Sequence, residues 1–132
     1  MKKKYGLERE NTRAPFDMAA NIICSTIRST LALGLVRDHH FTQERVAEAF
    51  GIKQQAVSNY ILGIRGGNRA LVDMPEFSNN IKLIAERIRN GATGNDLTLM
   101  INKVCMKLLA NENIYLAISE SRNRNKLNDM TV

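Results

Sequence analysis

A single glycine does most to restrict what this chain can become. In "TQERVAEAFGIKQQAVSNYILGIRGG", residues 42–67, Gly51 separates two short runs that each carry apolar residues at helical spacing. Glycine reaches positive φ without steric cost, so it can end one helix and turn the chain sharply into the next. Ala47, four residues earlier, is small enough for the second helix to approach the first closely. Val46, Phe50, Ile52, Val57 and Tyr60 supply the apolar inside of the pair. Thr42 suits the N-cap of the first helix, expected at about 43–50, and Phe41 before it can staple onto Val46. The second helix is expected at about 53–62.

Projected at about 100° per residue, that second helix has two unlike sides. Val57, Tyr60 and Ile61 gather with Ile64 on one. Gln54, Gln55, Ser58, Asn59 and Leu62 gather on the other, with Lys53 at its start. Paired amides can bond the N6/N7 edge of adenine in a major groove, and a serine hydroxyl suits several base edges. Gln43 stands where its amide and the helix N-terminal N–H groups can meet a phosphate. Arg65 and Arg69 follow closely enough to flank the reading helix on the backbone. The DNA-facing candidates are therefore Gln43, Lys53, Gln54, Gln55, Ser58, Asn59, Arg65 and Arg69.

The charge distribution agrees. Residues 1–70 hold 11 Lys/Arg against 6 Asp/Glu, and residues 71–132 hold 8 against 7, so +5 of the net +6 travels with the two-helix motif. A positive half favours a polyanion, by counterion release on nucleic acid. The apolar runs are broken short of a membrane span, and the basic start "MKKKYGLERENTRAP" has no apolar stretch behind it, so a cytoplasmic protein off the membrane is expected.

Around the motif the pattern is helical throughout. Aromatics make up only 5% and Leu, Ile, Ala and Met are plentiful, which points to an all-α fold. Residues 1–14 read as a flexible basic arm. Residues 15–72 read as the DNA-binding unit, opened by a long helix from Pro15 to Asp38 with Ala19, Ala20, Ile23, Ile27, Leu31 and Leu35 on its stripe and Gly34 as a soft spot. "GIRGGNRALVD" reads as a loop broken by Gly63, Gly66 and Gly67. Residues 73–118 read as added C-terminal helices, one from Pro75 with Gly91 as its stop and one at about 96–110. Leu97, Met100, Ile101, Val104 and Leu108 lie near a heptad seam there, a core that can also serve a dimer. "IYLAI" fits a further turn or short helix, and 119–132 a polar tail.

The residues that invite other chemistry read blandly. Asp38, His39 and His40 lack further ligands and sit at a helix end, so no metal site is expected. Cys24 and Cys105 read as small buried hydrophobes in a reducing compartment, since nothing in the sequence brings the pair together for a disulfide. Cys24 lies on an apolar stripe, which argues against a nucleophile paired with a histidine. No catalytic residue, metal or cofactor is called for.

The order of a long helix, then "Q-E-R-V-A-E-A-F-G-I-K-Q-Q-A-V-S-N-Y-I-L-G-I-R-G", then two helices resembles the phage-repressor-like (Cro/xenobiotic-response-element) helix-turn-helix superfamily. Within it, the pattern is similar to a group of small archaeal transcriptional regulators. The resemblance implies a homodimer that binds an inverted repeat in double-stranded DNA, with Gln43, Lys53, Gln54, Gln55, Ser58 and Asn59 facing the duplex. A protein–protein interaction module, an antitoxin or adaptor using the same helices, is the alternative.

Overall fold

The computed structural model describes residues 15–63 and 68–120. Six helices have defined bounds: α1 Phe16–Asp38, α2 Gln43–Phe50, α3 Gln54–Gly63, α4 Arg69–Val72, α5 Pro75–Arg89 and α6 Gly94–Leu109. A seventh, α7, spans 112–120. No strand occurs among the described residues, so the fold is all-α.

α1 is the axis of the assembly, and α2, α3, α4, α5 and α6 all pack against it. Of the stripe read from the sequence, Ala19, Ile23, Ile27, Leu31 and Leu35 are each 1% exposed or less, and Ala20 is half-buried. Ala32 is buried beside them. Thr26 and Ser29 are buried too, and the Thr26 hydroxyl donates to the Ile22 carbonyl at 2.6 Å, which satisfies it within the helix. By length and composition α1 could cross a membrane. That corrects the expectation that every apolar run falls short of a span, yet the apolar stripe is covered by the protein's own helices. Gly34 stays inside α1, and its missing Cβ is near nothing but the Asp38 carboxylate, at 4.0 Å.

α1 ends through His40, which takes a left-handed φ of 60°. That turn lets the Phe41 N–H reach back to the Leu35 carbonyl at 3.0 Å and sends the Phe41 ring into the core. Thr42 caps α2, its hydroxyl accepting from the Arg45 N–H at 3.1 Å.

The C-terminal half departs from the sequence reading in two places. "GIRGGNRALVD" is not loop throughout: Asn68 accepts from the Leu71 N–H at 2.9 Å, and this cap starts the short helix α4. Gly63 closes α3 as its last residue, while Gly66 and Gly67 lie outside the described residues, as do Ile64 and Arg65. The polar tail begins later than 119. Asn111 accepts from the N–H groups of Asn113 and Ile114 at 3.0 and 3.3 Å, nucleating α7, which carries Ile114, Ile118 and Ser119 into the interior. Residues 1–14 and 121–132 lie outside the described residues.

Gly91 does stop α5: with φ 106° it directs its own N–H to Ile88 and the Ala92 N–H to Arg87. Most of the heptad-like seam of α6 is turned inward, with Met100 and Val104 only partly covered. Leu97, Ile101 and Leu108 are 2–3% exposed within one chain, where α6 packs on α1, α2 and α5. These side chains are therefore spent on the chain's own core and cannot also form an intermolecular seam. The core itself runs continuously from Ala19 to Ile118, across the end of α4.

Candidate nucleic-acid interface

The junction between α2 and α3 is a complete αL helix stop. Gly51 has φ 70° and ψ 35°; its N–H bonds the Glu48 carbonyl at 3.2 Å, and the Ile52 N–H bonds the Ala47 carbonyl at 3.0 Å. Ile52 packs on the core beyond the glycine. α3 begins at once, with the Lys53 carbonyl accepting from Ala56 at 3.0 Å, so Lys53 occupies the cap position. Val46 and Val57 are fully buried, and Ala47 is 6% exposed between the helices. A side chain larger than alanine would separate them.

α3 fully buries Val57 alone; Tyr60 and Ile61 are partly covered. Gln54, Gln55 and Asn59 are exposed on its outer side, with Lys53 at its start. Leu62 completes that side, 66% exposed. The Gln55 side-chain amide donates to the Asn59 side-chain oxygen Oδ1 at 3.3 Å, so the two amides sit one helical turn apart as a linked pair. Ser58 is half-buried and turned toward α2, where its hydroxyl donates to the Gln43 amide oxygen at 2.7 Å. That contact changes what both residues do. Gln43 and Ser58 hold the two helices to each other, and the remaining donor of the pair is the Gln43 NH2 at the N-terminus of α2.

Two side chains at this end were not among the sequence candidates. The Arg45 guanidinium lies 3.8 Å over the Phe41 ring, which holds a cation beside the first turn of α2. The spacing Phe41–Arg45, four residues across a cap, was the available signal. Leu62 was placed on the outer side by periodicity but carries no hydrogen-bonding group, so it drew no role. Arg69 opens α4 and is exposed. Arg65 lies outside the described residues.

Elsewhere, no three of the His, Cys, Asp and Glu side chains among the described residues converge on a common point that could hold a metal. His40 is exposed at the turn after α1. Cys24 and Cys105 do meet: their sulfurs are 3.0 Å apart across the α1–α6 contact, both as free thiols. The sequence does not position the pair; α6 returns along α1 and carries Cys105 to Cys24. Burial pushes the Cys105 thiol up to about 12, the hydrogen bond and charge of Cys24 add to the rise, and Arg28 opposes it.

No family model, no curated protein and no solved structure matches the chain.

Proposed function

We propose that this chain is a sequence-specific DNA-binding transcriptional regulator that reads the major groove with α3, acts as a cytoplasmic homodimer and performs no catalysis. The observation that carries the reading is the division of α3: Val57 alone is fully buried, while Gln54, Gln55, Asn59 and Leu62 stand out together. Linked amides one turn apart suit the donor and acceptor pattern of adenine, and an exposed leucine suits the methyl group of thymine. A major groove admits one helix, and the steep turn at Gly51 leaves α3 with an open outer side.

The surrounding groups fit roles on the backbone. Lys53, Arg69 and Arg45 are cations near the two helices, Arg65 follows α3 in sequence, and the Gln43 NH2 sits at the N-terminus of α2. Contacts of this kind orient a protein on a duplex and make its affinity depend on salt. Ser58 is assigned to bracing α2 against α3, with base contact left to Gln54, Gln55 and Asn59. The small-regulator resemblance supports the same reading.

One reading helix covers few base pairs, and a two-fold pair can read half-sites about 34 Å apart. With most of the inner seam of α6 spent, Leu99 and Met106 offer an exposed apolar pair on that helix: seven residues apart, 59% and 68% exposed.

In vitro selection of bound DNA at a stated salt concentration tests the function. Enrichment of a two-fold motif is the expected result. Gln55→Ala and Asn59→Ala then each weaken the selected site by about 1–3 kcal/mol and relax one position, while Arg65→Ala and Lys53→Ala weaken every sequence alike and lower the salt slope. Equal affinity for selected and random DNA rejects the reading.

A further inference from the structure

The chain has two cysteines, 81 residues apart in sequence, and the fold sets their sulfurs 3.0 Å from each other. That separation is about 1 Å longer than a disulfide bond, across the packed face between α1 and α6. Cys24 is half-buried and donates its S–H to the Cys105 sulfur; Cys105 is 6% exposed and turns its own S–H toward the Ala20 carbonyl at 3.8 Å. The pair is thus asymmetric, with Cys24 the more exposed residue and Cys105 the more buried.

We propose that Cys24 and Cys105 form a reversible intrachain disulfide when the protein meets a peroxide, joining α1 covalently to α6. Cys24 reacts first. Its thiolate attacks one peroxide oxygen, the O–O bond breaks, Cys24 becomes a sulfenic acid, and the departing hydroxide takes up the proton the thiol had released, giving water. The Cys105 sulfur then attacks the Cys24 sulfur. The S–O bond breaks, and the leaving hydroxide takes the Cys105 proton to give a second water. Two thiols together lose two electrons and the peroxide gains them. A dithiol reductant returns both by exchange.

The asymmetry decides the product. Burial pushes the Cys105 thiol up to about 12, which slows its reaction with peroxide; toward the Cys24 sulfenic acid the 3.0 Å contact compensates, and its proton passes to the leaving hydroxide as the S–S bond forms. Its position against Cys24 lets it intercept the sulfenic acid before a second peroxide can convert it to the irreversible sulfinic acid. α1 is the helix on which α2, α3, α4 and α5 also rest, so the bond ties α6 to the scaffold of the whole fold. The inference stands whether or not the chain binds DNA.

The test uses the full chain, native and at neutral pH, treated with excess hydrogen peroxide. The titratable thiols should fall from two per chain to none, and the intact mass should drop by two hydrogens. The band on a non-reducing gel should run as a faster monomer, with dithiothreitol reversing each change. Closing so long a loop should raise Tm by about 5 °C or more over the reduced protein. Cys24→Ser should abolish the reaction, and Cys105→Ser should divert Cys24 to products that gain oxygen. Should Cys105→Ser fail to fold, the wild-type mass and thiol count still decide the matter. Retention of both thiols, a gain of oxygen in the wild type, or an interchain dimer in place of the internal bond each overturns the proposal.

Discussion

Replacing Gly51 offers the sharpest test of how the α2–α3 turn is held. Its φ of 70° and ψ of 35° lie in the left-handed region, and a Cβ built there meets no heavy atom within 4 Å. Contact with neighbours therefore adds nothing, and the whole penalty is local to the backbone. For an ordinary L-residue that penalty is about 1–2 kcal/mol, partly offset because alanine leaves the unfolded chain about 0.4–1 kcal/mol less entropy to lose. Gly51→Ala should thus destabilise by about 1 kcal/mol. Gly51→Val, branched at Cβ, should cost about 2 kcal/mol, and Gly51→Asn about half a kcal/mol, since asparagine tolerates this region. Gly51→Leu is the control: it is bulkier than valine, but it enters open space and should group with alanine. Urea unfolding followed by circular dichroism measures the series, with equal slopes required before midpoints are compared. In a chain of this size the valine variant should melt roughly 8 °C lower. A ranking by side-chain volume, with leucine worst, would refute the argument, as would a valine variant as stable as the parent.

Other perturbations follow from the same geometry. His40→Gly should stabilise the protein by about 1 kcal/mol, because His40 is an exposed non-glycine residue at φ 60°; an unchanged or lower urea midpoint counts against the strain. The Leu99→Lys, Met106→Lys double variant should leave the fold intact and shift the protein to monomer by light scattering; a persistent dimer means another surface pairs. Cys105 is raised to about 12 from an ordinary value near 9, so the folded chain keeps a proton that the unfolded chain releases. Its contribution is fully present below pH about 9 and is lost as pH rises toward 12, and Cys105→Ala under reducing conditions should flatten that part of the Tm profile. Parallel profiles for the two proteins dispose of the burial argument.

The helices were legible in the sequence wherever their cause is local. The stripe Ala19–Ile23–Ile27–Leu31–Leu35, the Thr42 cap and the stops at Gly51 and Gly91 all follow from helical period, side-chain reach and positive φ, none of which needs distant residues. The outer side of α3 followed as well, because one buried position, Val57, fixes where the remaining residues point. Caps made by Asn68 and Asn111 were just as local and went unread, since asparagine serves loops equally often and the helices behind it are too short to show a clear helical period.

Only tertiary structure could decide which surface each apolar face meets. Periodicity says that Leu97, Ile101 and Leu108 share a side of α6; it does not say whether α1 or another molecule covers them, because burial depends on which element lies opposite. Ser58 likewise belongs to the amide side by angle, yet the nearness of α2 turns its hydroxyl to Gln43. The Cys24–Cys105 contact is the plainest instance. Two thiols separated by most of the chain become neighbours through the return of α6 along α1, a long-range arrangement that no spacing along the sequence encodes.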